Sequence, residues 1–132
     1  MERFARLEPW AHNAFRIVYG FAFFTHGAAK LFGWFGGHQV GTLWSRYTLA
    51  GIIEVTTSIL IALGFRTRVA AFIASGEMAV AYFWIHVTDN GSLWHWKNHG
   101  EFAMLFCFGF FLLAALGSGS FSLDAWLARR RS

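Results

Sequence analysis

Six ionisable side chains lie within, or at the ends of, segments that are otherwise apolar enough to span a lipid bilayer. They are His26, Lys30, Glu54, Glu77, His86 and Glu101. A charge at the centre of a membrane helix costs about 2.5–3.5 kcal/mol on insertion scales, so each such residue is a candidate for function by default. Carboxylates, imidazoles and an ammonium group together suit acid–base chemistry, in which protons move between the protein and a carbonyl or hydroxyl group of a ligand.

Helical spacing indicates which of these groups can meet. His26 and Lys30 are four residues apart and share one helix face. At about 1.5 Å of rise per residue, Lys30 and Glu54 reach similar depths on neighbouring antiparallel helices, which predicts an interhelical ion pair. Glu77 and His86 are nine residues apart, about half a turn out of phase on an ideal helix. Either that helix is deformed or one of the two side chains faces a neighbour.

The cluster of charges has two interpretations that the sequence leaves open. In the first, the charges pair only to fix the register of the helices, because a buried charge needs a partner. In the second, they line one cavity in the outer half of a helix bundle and exchange protons with a ligand.

Composition favours a membrane location for these segments. The chain has 132 residues, of which 56% are hydrophobic and 14% are charged, against about 25% charged in a typical soluble domain. Four apolar stretches, long enough for a hydrocarbon layer about 30 Å thick, cover roughly residues 14–35, 47–64, 69–87 and 100–116. We therefore predict an all-α fold, an integral membrane four-helix transmembrane bundle in which residues 1–132 form a single domain.

The basic residues predict the orientation of the chain. Eight lie at one set of segment ends, namely Arg3, Arg6, Arg16, Arg66, Arg68, Arg129, Arg130 and Arg131. Three lie at the opposite ends, namely Lys30, Arg46 and Lys97. By the positive-inside rule both termini are expected in the cytoplasm, with Arg16, Arg66 and Arg68 clustered around Asp124 as a clamp. This placement accounts for the net charge of +4 without nucleic acid, and no N-terminal segment resembles a cleaved signal peptide.

Several motifs resemble the DoxX family of small four-helix membrane proteins. The most specific is the string HGAAKLFGWFGG at residues 26–37. It is supported by Glu54, by LGFRTRVAA at residues 63–71 and by GEMAVAYF at residues 76–83, which leads to His86. The motifs NHGE at residues 98–101 and SLD at residues 122–124 complete the match. The resemblance runs from about Phe15 to Asp124, so we expect one DoxX-like membrane domain.

The resemblance implies a membrane oxidoreductase subunit linked to quinone or to sulfur and thiol chemistry, in a bacterial or archaeal inner membrane. The predicted catalytic residues are His26, Lys30, Glu54, Glu77 and Glu101. The predicted cofactor-binding residues are His26, His86 and Asn98. The expected partners are the lipid bilayer and a redox partner protein, with a homo-oligomer as a further option. The alternative function is a non-enzymatic membrane scaffold or small permease that stabilises a partner complex.

The residues do not identify a cofactor, and the resemblance implies a quinone. Haem held by His26 and His86 is an alternative. No metal site is predicted, although His95 and His99 have a suitable i,i+4 spacing if their loop is helical. Cys107 is the single cysteine, which excludes an intrachain disulfide, a CxxC redox pair and a zinc–thiolate site. Electrons must therefore come from a bound cofactor, the substrate or a partner.

Overall fold

The computed structural model of the chain describes residues 2–41 and 43–131, in which helices are the only regular secondary structure. Met1, Thr42 and Ser132, and with them the ends of the predicted domain, lie outside the described residues. The helices in chain order are α1 (Glu2–Ala5), α2 (Glu8–Phe32), α3 (Arg46–Leu63), α4 (Thr67–Ala81), a π-helix (Tyr82–Val87), α5 (Thr88–Asn90), α6 (His95–Asn98), α7 (Glu101–Leu116) and α8 (Leu123–Arg131). The predicted all-α fold is confirmed for these residues.

The four long helices pack in the order of the chain. Helix α2 lies along α3, α3 contacts α4, and α4 lies along α7. Helices α2 and α7 meet mainly through aromatic rings, since Tyr19 and Phe23 of α2 contact Phe106 and Phe110 of α7. A side chain at Gly109 would overlap the Tyr19 ring, so this glycine makes room for the aromatic contact.

The outer surface is largely apolar, whereas the interior holds polar and charged side chains beside its apolar core. Large apolar side chains on the outer faces of the long helices are exposed, among them Val18, Ile52, Phe72, Phe102 and Phe108. Polar and charged side chains are buried inside, among them Asn13, Arg16, Glu54, Thr57 and Ser58. Soluble proteins rarely expose such continuous apolar surface, and they rarely bury unpaired charges. The pattern indicates helices that face lipid.

Within residues 2–41 and 43–131, two helical stretches are long and apolar enough to cross a membrane, Arg46–Leu63 and the continuous run Thr67–Asn90. Only 33% and 28% of their most apolar windows are buried within the chain, which distinguishes them from the core helices of a soluble protein. Helix α7 is apolar too, but shorter.

Helix α2 differs from the predicted span at both ends. It begins at Glu8, six residues before the predicted start at Ala14, and Pro9 lies in its first turn, where proline is favoured. It ends at Phe32, before the predicted end at Phe35, because Gly33 takes a left-handed conformation (φ 69°) and its N–H caps the carbonyl of Ala29.

Close contact between α2 and α3 depends on small residues. A Cβ atom on Gly27 would lie 2.8 Å from the backbone nitrogen of Val55 and 2.9 Å from Cβ of Glu54. A Cβ atom on Gly51 of α3 would lie 2.9 Å from the Leu31 side chain. Helices that lack these side chains can bring their backbones together, as is common among membrane helices.

The arginines at the other end of the molecule bind carbonyl groups, which corrects the predicted clamp with Asp124. Arg16 is 1% exposed and donates to the carbonyls of Ile61 (2.7 Å), Ala62 (2.5 Å) and Phe121 (2.5 Å). Arg68 donates to carbonyls in the last turn of α7. Within the described residues neither guanidinium forms an ion pair with Asp124. The unpaired carbonyls at helix C-termini are strong acceptors, and they satisfy these cations instead.

The contact at Gly27 makes a testable prediction. Gly27→Leu should lower the free energy of unfolding by about 1–3 kcal/mol, because the new side chain forces α2 away from α3. The measurement is denaturant unfolding in detergent micelles. Gly76→Ala is the matched control, since no described atom lies within 4 Å of its added Cβ and alanine favours a helix. Equal stability of the two variants would contradict the packing described here.

Candidate functional site

A cavity of about 320 Å³ lies between α2, α3, α4 and α7, at the end of these helices that carries the loops 33–45 and 91–100. We call it the polar cavity. Its ionisable lining residues are His26, Lys30, Glu54, Glu77, His86 and His99. The rest of its wall is apolar or aromatic and includes Phe23, Tyr47, Met78, Phe102 and Phe106. Five of the six ionisable residues that the sequence singled out therefore line one space.

Lys30 and Glu54 form the ion pair that their depths predict. Lys30 Nζ donates to Glu54 Oε1 at 2.5 Å across the α2–α3 contact. Glu54 is 1% exposed, whereas the side chain of Lys30 is 29% exposed. The second carboxylate oxygen, Glu54 Oε2, is buried and has no hydrogen-bond partner among the described residues. A buried carboxylate with one oxygen unbound can still accept a proton or a donor from a ligand.

Glu77 faces the same cavity from α4. Its carboxylate is close enough to Glu54 and Lys30 to interact with both charges. Glu77 Oε2 is also buried without a hydrogen-bond partner in the part of the chain that the structure describes. Two carboxylates and one ammonium group thus share a small volume, and buried polar groups without partners are rare in folded proteins.

The π-helix resolves the phase difference between Glu77 and His86. On an ideal α-helix residues nine apart point to opposite sides, but Tyr82–Val87 is π-helical. A π-helical turn holds an additional residue and so rotates the residues after it by up to about 100°. Both side chains consequently line the polar cavity. Of the two explanations open from the sequence, the deformed helix is the one observed.

Hydrogen bonds join the loop 91–100 to the π-helix and α5 and orient the His86 ring. The ring nitrogen His86 Nδ1 lies 3.2 Å from the carbonyl oxygen of Asn98, so Nδ1 carries the proton and Nε2 remains available for exchange. Asn90 Nδ2 donates to the same carbonyl at 3.2 Å. The buried side chain of Asn98 is used inside the loop, donating to Ser92 and accepting from Gly100. It does not line the polar cavity, where the sequence placed it.

Glu101 and the two loop histidines also differ from expectation. The side chain of Glu101 is exposed and is not part of the cavity lining. Helix α6 ends at Asn98, and His99 adopts a left-handed conformation, so His95 and His99 do not share a helix face. His99 lines the polar cavity instead. Within residues 2–41 and 43–131, no three His, Cys, Asp or Glu residues are grouped to hold a metal ion.

The aromatic residues of the cavity wall were not predicted as a group from the sequence, although their spacing along the helices indicates that they share faces with other lining residues. Phe23 precedes His26 by three residues, and Tyr47 precedes Glu54 by seven. Phe102 and Phe106 are four apart on α7. Each therefore shares a helix face with another lining residue. The His26 ring packs edge-on against Phe106, with ring centroids 5.6 Å apart.

The chain is similar to a known protein family and to a bacterial protein. A family model described as DoxX matches residues 12–87. The chain belongs to the DoxX family. A Haemophilus influenzae protein described as "Uncharacterized protein" is 38% identical over 130 residues, covering 94% of this chain and 96% of that protein. No solved structure matches the chain.

The DoxX match covers most of the polar cavity but not all of it. His26, Lys30, Glu54, Glu77 and His86 lie within residues 12–87, together with the π-helix that aligns the last two. The walls from α7 and the loop residue His99 lie beyond the matched segment.

The ion pair predicts a specific pattern of coupling. Lys30→Met or Glu54→Leu alone should destabilise the fold by about 3–5 kcal/mol, because each leaves its partner charge without compensation. The double variant should recover most of that loss. A double-mutant cycle of unfolding free energies in detergent measures the coupling. If the two single losses simply add, Lys30 and Glu54 do not act as a pair.

Proposed function

We propose that this DoxX protein is a membrane oxidoreductase subunit whose polar cavity handles protons for a quinone-type ligand. The observation that carries the proposal is the pair of buried carboxylate oxygens, Glu54 Oε2 and Glu77 Oε2, which have no hydrogen-bond partner among the described residues. They line a cavity that is also lined by Lys30 and three histidines. If these charges only paired to fix the register of the helices, the burial of two carboxylate oxygens without hydrogen-bond donors would be unexplained.

The cavity fits a flat ring that carries oxygen atoms. Phe23, Phe102 and Phe106 supply aromatic surfaces for the faces of such a ring. The ammonium group of Lys30 would bind a ring oxygen and stabilise negative charge that develops there. Such ligand sites are mainly apolar, with a few placed polar groups that fix orientation.

Quinone reduction to a quinol consumes two electrons and two protons. We propose that Glu54 and Glu77 hold and deliver the protons inside the cavity, and that His26, the more exposed group, exchanges them with the surroundings. His86, with Nδ1 bound to the Asn98 carbonyl, would contact the ligand through Nε2. Oxidation of two thiols to a disulfide releases two electrons and two protons, so a thiol-class or sulfur-class reductant bound to a partner protein would balance the reaction.

A second candidate is a scaffold or small permease, and one observation favours it. The Lys30–Glu54 ion pair connects α2 to α3 directly and would serve helix register in a protein with no chemistry of its own. In that case the chain would stabilise a redox partner protein or assemble as a homo-oligomer. Haem bound by His26 and His86 is a further alternative, because both line the cavity.

The small molecules that co-purify with the protein distinguish quinone binding, haem binding and the scaffold function. We expect an organic extract of the detergent-purified protein to contain a quinone, and the absorbance spectrum to lack a Soret band. A Soret band would favour haem, and an extract without quinone would favour the scaffold.

Isosteric variants separate proton handling from stability. We expect His26→Asn and Glu77→Gln to lower quinone turnover, measured with the redox partner present, by about 100-fold or more, the low end of what general acid–base catalysis supplies. Their melting temperatures should stay near that of the wild type, since shape is retained. Asp89→Asn, which changes an exposed carboxylate at the same end of the bundle, is the control. Parallel losses of turnover and stability would support the scaffold instead.

We also propose a multi-pass topology in a bacterial or archaeal inner membrane, with four spans and both termini cytoplasmic. The apolar outer faces of the long helices and the eight-to-three distribution of basic residues support it. In a Cys107→Ala background, an impermeant thiol reagent added outside intact cells should label a cysteine at Ser92. It should not label one at Ser132, which lies outside the described residues. The reverse labelling would contradict this orientation.

A further inference from the structure

A second concavity, on the outer surface between α3 and α4, is apolar along its length. It measures about 440 Å³ and we call it the lateral groove. Its walls include Leu49 and Ile53 of α3 and Phe72, Gly76 and Val80 of α4. The space exists because Gly76 has no side chain, and no described atom lies within 4 Å of where its Cβ would be. The groove lies between the two helices that are long and apolar enough to cross a membrane.

The lateral groove adjoins the polar cavity and shares part of its lining. Ala50 of α3, Glu77 and Ala81 of α4 and Ile85 of the π-helix line both spaces. Two of these four are alanines, so the wall between the spaces is thin. Glu77 is the polar group at this junction, and its buried Oε2 has no hydrogen-bond partner among the described residues.

The two ends of the groove have different lining residues. Arg46 lies at the beginning of α3, with its guanidinium 5.1 Å from the Tyr47 ring centroid and 6.0 Å from the Trp84 ring centroid. Arg46 and Trp84 form a cation–π contact and line the groove near the loops. An apolar chain that extends from the junction away from Arg46 would lie along Gly76 towards Ile73 and Phe72 of α4.

We infer that the lateral groove holds the apolar tail of the same molecule whose ring occupies the polar cavity. The substrate class is then a membrane-dissolved quinone with a long hydrocarbon tail, which enters sideways from the bilayer between α3 and α4. This inference rests on the proposed function. The lining shared at Ala50, Glu77 and Ala81 favours a single amphiphilic molecule, because a separate lipid chain would give no reason for a carboxylate at the junction.

The test uses two probes that differ only in the tail. One is a benzoquinone without a tail, and the other is the same ring with a decyl chain. Their dissociation constants are measured by tryptophan quenching, with the purified full chain in lipid nanodiscs, for the wild type and for Gly76→Leu, which fills the groove. Ile59→Phe adds bulk to an exposed position of α3 outside both spaces and is the matched control. Melting temperatures establish that each variant is folded.

We expect Gly76→Leu to weaken binding of the decyl probe about tenfold, because its tail loses buried apolar contact. Binding of the tail-less ring should change by less than about twofold, a few tenths of a kcal/mol, and Ile59→Phe should affect neither probe. An equal effect of Gly76→Leu on both probes, or no effect on either, would overturn the inference.

Lys30→Met provides the second arm, since it alters the cavity and leaves the groove unchanged. It should weaken both probes to a similar extent. Decyl binding that depends on Gly76 but not on Lys30 would mean that the groove holds a lipid-like chain with no ring in the cavity, which also overturns the inference. Failure of the tail-less ring to bind the wild type would instead refute the proposed function of the cavity.

Discussion

The carboxylate of Glu54 is almost completely buried, and one ammonium group, that of Lys30, holds it at 2.5 Å. Separating these charges would leave a carboxylate in an apolar interior, so the contact fixes how α2 and α3 pass each other. Gly27 allows the two backbones to approach at the level of Glu54 and Val55. The positions of the other cavity groups depend on this register, since α4 packs on α3 and α7 packs on α4.

The polar groups in the interior and the apolar side chains on the exterior have the same physical cause. In a hydrocarbon surrounding no water is available to the backbone or to the charges, so carbonyls and cations must satisfy each other within the chain. Arg16 does this at one end by binding three carbonyl groups. Lys30 does it near the other end by binding only one oxygen of Glu54. The two ends therefore differ: Arg16 binds several backbone carbonyls at one end, whereas two carboxylate oxygens without partners among the described residues line a cavity near the other.

The π-helix allows Glu77 and His86 to line the same cavity. Without it, Glu77 and His86 would point to opposite sides of the helix. The loop 91–100 stabilises this geometry, because the Asn98 carbonyl binds both His86 and Asn90, and Tyr82 Oη donates to the carbonyl of Leu93. π-helical segments are often found at functional sites, and here the segment lies between the polar cavity and the lateral groove.

The sequence by itself determined the helical class, the apolar segments, the DoxX membership and the pairing of Lys30 with Glu54, because all of these depend on local composition, short motifs or the rise of a straight helix. It also indicated five of the lining residues. It did not determine that Asn98 and Glu101 stay out of the cavity while His99 enters it, since loop conformation depends on hydrogen bonds between residues distant in the chain. It could not choose between a straight and a deformed helix at His86. It also predicted that Asp124 binds the arginines, whereas backbone carbonyls bind Arg16 and Arg68. Periodicity describes one helix at a time, whereas helix deformations and buried acceptors are decided by the elements that pack against them.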